Sequence, residues 1–157
     1  MNQNTRARFT CFLSDEAATL EFGARLSRVL HAGLVVYLVG DLGAGKTTLA
    51  RGILRERGYV GRVKSPTFTL VELYKFSRLY LYHFDFYRFE AGSELAESGL
   101  REYFNPDALC LVEWPDKADG LPPADLNIAL REMGMGRTVE LHADSEAGKL
   151  CMDRLHQ

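Results

Sequence analysis

The chain has 157 residues, 46% of them hydrophobic and 25% charged, the balance of a globular protein and not of a disordered segment. A chain of this size is expected to form one domain, residues 1–157, burying roughly 70% of the surface its unfolded form exposes. Its formal net charge of -2 lacks the basic footprint of a protein that grips nucleic acid by itself, so any nucleic-acid role is expected to be indirect.

A short strand is predicted around Arg8–Leu13. Ser14 can then cap a helix whose first turn carries Asp15 and Glu16, where negative charge suits the dipole. Apolar Leu20, Phe22, Ala24, Leu26, Val29 and Leu30 extend that helix to near Gly33. Leu34–Val39 is a continuous apolar run of strand length, the mark of a strand covered on both faces. It leads into Gly40, and helical spacing resumes over Lys46–Arg57 until Gly58 stops it. Thr67–Tyr74 and Leu79–Phe84, rich in aromatic and β-branched residues, read as a hairpin or two neighbouring strands.

A helix is expected over Ser93–Phe104, then a buried strand at Leu109–Val112 that ends at Glu113. Leu126–Met133 and Thr138–Ala143, joined through Gly134–Arg137, predict a second hairpin, and Ser145–Leu155 a last helix. The fold class is α/β: a P-loop NTPase-like three-layer arrangement with a mixed central sheet and hairpin elaborations. No run reaches the roughly 18 apolar residues of a membrane span, and no signal-like block follows Met1. Cys11, Cys110 and Cys151 are odd in number and widely spaced, which predicts reduced thiols in a cytoplasmic protein and neither a disulfide framework nor a zinc site.

Gly40-Asp41-Leu42-Gly43-Ala44-Gly45-Lys46-Thr47 matches G-x-x-x-x-G-K-[ST] at every specified position. With glycine near ~7% of residues, such a string arises by chance in less than about 1% of chains this long. A strand before it and a helix after it supply the context the motif needs to aim backbone N–H groups at phosphates. Asp41, Gly43, Ala44 and Gly45 are expected to cradle the anion, Lys46 to neutralise the β- and γ-phosphates, Thr47 to ligate magnesium and Thr48 to reach a further phosphate oxygen.

Hydrolysis further needs an acid near magnesium and a group that positions water. Asp85 and Glu113 stand at strand ends, where open α/β sheets gather ligands, and each can hold magnesium directly or through water. The plainer readings are a salt bridge from Asp85 to Arg88 and a solvated strand terminus for Glu113; Arg88 could instead contact phosphate. His83 reads as a core histidine before a catalyst. Ser65-Pro66-Thr67 occupies the place of a γ-phosphate switch, with Thr67 either a sensor or an ordinary strand start. Trp114 either reports nucleotide or fills a core edge. Asp116-Lys117-Ala118-Asp119 imitates a guanine-reading motif, but an aspartate replaces its asparagine and Asp85–Arg88 lacks a GTPase glycine, so adenine is the expected base.

Four blocks together resemble the bacterial TsaE family, the ATPase of tRNA threonylcarbamoyladenosine biosynthesis. They are Gly40–Thr48, Lys64–Glu72, His83–Arg88 and Val112–Pro115, and the likeness runs from about Thr10 to Asp125. The resemblance implies ATP and Mg2+ as cofactors and weak hydrolysis in the service of a TsaB–TsaD pair, which modifies an adenosine beside the tRNA anticodon. It also implies that the chain reaches tRNA only through that assembly and does not itself transfer the threonylcarbamoyl group. Carried over by position, Thr47 and Glu113 become magnesium contacts, Asp85 a hydrolysis residue and Ser65-Pro66-Thr67 the switch. Phe86 stands where an aliphatic residue is expected, and after Leu126 the match fades. A small-molecule kinase and a nucleotide-dependent interaction module without turnover are the competing readings.

Overall fold

The computed structural model describes residues 8–90 and 93–157. Strands β1 (Arg8–Leu13), β2 (Val35–Val39), β3 (Val71–Lys75), β4 (Tyr80–Asp85), β6 (Ala108–Glu113), β8 (Leu126–Met133) and β9 (Gly136–Ala143) form one sheet in the order β1-β9-β8-β2-β6-β4-β3. The centre, β8-β2-β6-β4, is parallel, and both edges are antiparallel. A two-residue strand β5 (Ser93–Glu94) pairs separately with β7 (Ala118–Asp119). This is the mixed α/β, P-loop-type architecture expected from the sequence.

The alternation of side chains along the strands sorts the core into two layers. Leu81, Leu109 and Leu111 face the helices α1 (Glu16–Val29), α2 (Lys46–Glu56) and α4 (Glu146–Leu155), among Leu26, Leu49, Ile53 and Met152. Tyr82, Phe84, Cys110 and Val112 face the other way, under Phe86, Leu95, Tyr103 and Phe104. The continuous apolar strands β2 and β6 are buried on both sides for this reason.

Three local expectations shift. Asp15, not Ser14, caps α1: its backbone is extended and its carboxylate accepts from Ala18 N at 2.8 Å, while the helix ends at Val29, short of Gly33. Thr67–Leu70 is a turn and β3 begins at Val71, because Leu70 N bonds to Pro66 O at 2.9 Å and Leu70 adopts φ 69. The helix expected over Ser93–Phe104 is broken into β5, a four-residue helix α3 (Leu95–Ser98) and a 3-10 turn at Arg101–Tyr103. Gly99, at φ 80, ends the helical run.

Helices α1 and α2 cross with their backbones in contact. A Cβ on Gly23 would lie 2.6 Å from Leu49 O, and one on Gly52 would strike Leu20 O. In an open helix Gly→Ala gains about 1 kcal/mol, whereas backbone overpacking costs about 1–3 kcal/mol or more. Gly52→Ala is therefore expected to destabilise the protein by about 2 kcal/mol, read as a lower denaturant midpoint at unchanged slope.

Candidate functional site

Strand β2 runs straight into the glycine loop, and the backbone there is one that side-chain-bearing residues avoid: Gly40, Gly43 and Gly45 have φ of 154, 81 and 107. A Cβ at Gly40 would stand 2.6 Å from Leu130 O, so the loop also passes too close to β8 for any other residue. Gly45 starts α2 without a side-chain cap, whereas Asp15 and Ser145 cap α1 and α4. The first-turn amides of α2 thus meet the dipole's positive end with no side chain occupying them, the arrangement that receives phosphate.

The register of the parallel strands supplies the acids. Leu38 and Asp85 both pair with Glu113, so the carboxyl ends of β2, β4 and β6 meet at one level beside the loop. Asp85 and Glu113 are each 3% exposed and Lys46 is 5% exposed. Lys46 Nζ donates to Gly40 O, stands 4.0 Å from Glu113 Oε1 and lies 4.3 Å from the centre of the Trp114 ring. Burial lowers the Lys46 pKa from its ordinary value, and the negative charges of Glu113, Asp85 and Asp41 partly oppose that fall.

Asp85 is engaged on both oxygens. Tyr87 N donates to Oδ1 at 2.8 Å, and Thr67 Oγ1 donates to Oδ2 at 3.1 Å. With its proton so used, Thr67 accepts from Ser65 Oγ at 2.8 Å, which ties two hydroxyls of the expected switch to the acid. Arg88 lies 4.1 Å over the Phe68 ring, and no Asp85–Arg88 bridge occurs among the described residues. Glu113 is buried, not a solvated terminus: His83 Nε2 lies 2.6 Å from its Oε2. Trp114 holds φ 55, a left-handed value costly for a bulky residue, and its ring also meets Tyr87 with centres 5.0 Å apart.

A cavity of about 460 Å³ joins these groups. Gly43, Gly45, Lys46, Thr47, Thr48, Ser65, Thr67, Asp85, Glu113 and Trp114 line it, whereas Asp41, Ala44, Pro66 and Asp116–Asp119 do not. Asp41 and Ala44 lie on the outer side of the loop, where Asp41 O accepts from Ala44 N at 3.1 Å. The far wall, unforeseen from sequence, consists of Asp15, Glu16 and Thr19 at the start of α1, Arg51, and the hairpin tip with Arg137. Arg137 Nε donates to Ala44 O at 2.9 Å and Nη2 to Gly43 O at 3.1 Å. No sequence pattern joins residues more than 90 positions apart; of this wall, the helix-start reading marked Asp15 and Glu16 in advance, as first-turn acids and not as a cap.

The donor set suits a hard cation. Thr47, Asp85 and Glu113 offer only oxygen, and two buried carboxylates face a single buried ammonium. Among the described residues no group of three or more His, Cys, Asp or Glu gathers as a metal cage. Magnesium needs none, since it takes one or two carboxylates and completes its shell with water and phosphate. All three cysteines are unpaired, and burial pushes the Cys110 thiol up to about 12. No helix among the described residues is long and apolar enough to cross a membrane.

The profile of the family described as "Threonylcarbamoyl adenosine biosynthesis protein TsaE" matches residues 13–140. The "tRNA threonylcarbamoyladenosine biosynthesis protein TsaE" of Haemophilus influenzae is 44% identical, over 89% of this chain and 92% of its own length. The Bacillus subtilis protein of the same name is 45% identical over 65% of this chain and 64% of its own. Among solved structures, Bacillus subtilis YdiB superposes with a TM-score of 0.79 at 28% identity, over 95% of this chain and 94% of that one.

Trp114 is the only tryptophan of the chain, and it shares the Lys46 ammonium with the loop. A triphosphate that draws Lys46 off the ring is expected to change the tryptophan emission in a saturable way. Lys46→Ala should lack that response while keeping the fold. Binding detected by calorimetry without any change in emission would contradict the placement of the ring at the site.

Proposed function

The chain belongs to the TsaE family and shares its role in tRNA threonylcarbamoyladenosine biosynthesis, and from this premise we propose that it is an accessory ATPase. It binds ATP with Mg2+, hydrolyses it slowly, and uses the cycle to drive the TsaB–TsaD pair that modifies tRNA. It touches tRNA through that assembly, works in the cytoplasm and acts as one domain, since one sheet takes in strands from both ends of the described chain.

The observation that carries the reading is the meeting of Lys46, Thr47, Thr67, Asp85 and Glu113 around one cavity at the carboxyl ends of β2, β4 and β6. In this reading the loop amides of Gly43, Gly45, Thr47 and Thr48 hold the phosphates, and Lys46 leaves Gly40 O to follow the transferred charge. Thr47 and Glu113 would hold a magnesium ion, with Asp85 beside them, and the ion would supply positive charge against the charge that develops on the phosphate. Asp85 orients the attacking water. Its second oxygen receives the Thr67 hydroxyl, so a γ-phosphate that draws that hydroxyl to itself changes the hydrogen bonding of the acid, which makes Ser65-Pro66-Thr67 the switch.

Arg137 argues against a kinase lid. Its guanidinium is committed to the carbonyls of Gly43 and Ala44 and has no free fork with which to close over a second substrate.

Asp85→Asn is expected to retain nucleotide binding but to lose hydrolysis by about 100-fold or more, the scale of a lost water-positioning group. The same variant should fail to support tRNA modification with purified TsaB and TsaD. Full modification by Asp85→Asn would favour a binding module without turnover, and a wild-type chain that binds no ATP in magnesium would end the proposal.

A further inference from the structure

His83 is fully buried, yet among the described residues only one of its two polar atoms has a partner. It lies two residues before Asp85 on β4 and opposite Leu111 on β6, so it shares the face of Asp85 and Glu113, one layer deeper. Beneath it are Leu81, Leu109 and Leu111. Its Nε2 stands 2.6 Å from Glu113 Oε2. A carboxylate only accepts, so Nε2 carries the hydrogen of this bond, while Nδ1 has no partner among the described residues. A histidine that merely filled the core would have no reason to present its single satisfied donor to one of the two buried acids beside the phosphate loop, and a leucine would fill the place at lower desolvation cost.

The consequence falls on Glu113, whose two oxygens are divided: Oε2 is held from below by His83, and Oε1 faces Lys46 at 4.0 Å. We propose that His83 is a positioning residue which pins Glu113 through Oε2, so that Oε1 alone is presented to the cation accompanying the nucleotide. This rests on the reading of the pocket as a magnesium–nucleotide site. When the phosphate takes Lys46 away, a free carboxylate would rotate or follow the lysine; a tethered one stays and offers its vacated oxygen to the metal shell. Outer partners of this kind are worth about 10- to 100-fold in metal affinity.

The test compares His83→Gln with His83→Asn, two polar variants that differ by one methylene. The Gln side-chain amide reaches about as far as Nε2; that of Asn stops near the position of Nδ1. Affinity for ADP is measured by calorimetry in excess magnesium and in chelator, and the ratio is the gain from metal. His83→Gln should keep the wild-type gain within about threefold, and His83→Asn should lose about 10- to 100-fold of it while binding metal-free ADP as the wild type does. On the intact wild-type protein, 15N NMR of the histidine side chains should find His83 as the Nε2–H tautomer, with its resonance moving on magnesium–ADP but not on ADP alone. Equal gains in the two variants, equal losses with and without metal, or an unmoved His83 resonance would each overturn the proposal. If the wild-type chain binds no nucleotide in either condition, the functional reading fails along with it; normal wild-type binding with indistinguishable variants defeats the role of His83 alone.

Discussion

An ammonium group that is 5% exposed is the constraint from which the site follows. Isolated in an apolar interior, such a charge costs more than the whole stability of a domain, so a fold that buries Lys46 must bring partners to it. Here they are a loop carbonyl, a carboxylate and an aromatic face: Gly40 O, Glu113 and Trp114. Each arrives by a different structural device. The carbonyl comes from a glycine with φ 154, the carboxylate from the register of β6 against β2, and the ring from a residue held at φ 55. None of these is favourable by itself.

The partners are also temporary in kind. Lys46 is buried, which strengthens its interactions, but they are those of one carbonyl, one carboxylate at 4.0 Å and one aromatic face. A triphosphate offers several anionic oxygens at contact distance, and the α2 amides with the Gly45 start favour it further. The same reasoning covers the acids. Asp85 accepts from Tyr87 N and Thr67, and Glu113 from His83, so Asp85 has two tethers and Glu113 one, and each carboxylate keeps lone pairs to spare. The network closes its hydrogen bonds without using up the oxygens that the proposed hydrolysis needs.

The sequence made the phosphate side of this network legible because its signals are local. Four specified residues at fixed spacing, an apolar run before them and a helical period after them all lie within Leu34–Arg57. Asp85 and Glu113 were visible as acids at strand ends, although their meeting depends on β4 and β6 being neighbours in parallel register. Where reasoning failed, a non-local partner or a single backbone angle decided the outcome. Thr67 has strand composition, but its hydroxyl goes to Asp85, and Pro66 with Leu70 closes a turn before the ladder can start. Ser93–Phe104 has helical spacing, but Gly99 is left-handed and the pairing of β5 with β7 fixes its beginning. His83 gave no sign that its edge would find an acid 30 residues away.

The far wall follows from the loop by the same accounting. A loop that turns its amides inward to face an anion must turn carbonyls outward, and outward carbonyls near a packed sheet need donors. Arg137 provides them to Gly43 and Ala44, and charge-assisted bonds of this type contribute about 1.5–3 kcal/mol when shielded, less at the partial exposure of this side chain. Arg137 sits on β9 directly opposite Leu13 of β1, two residues before the Asp15 cap of α1. Its guanidinium therefore fixes the phosphate loop to the same strand pair that sets where α1 begins, and with it the Asp15, Glu16 and Thr19 side of the cavity. Two hydrogen bonds join the loop to that wall and to the tip of the β8–β9 hairpin, whose Met133 and Met135 are exposed. A hairpin with little sequence signature is thus bound to the chemistry by the backbone carbonyls the glycines leave behind.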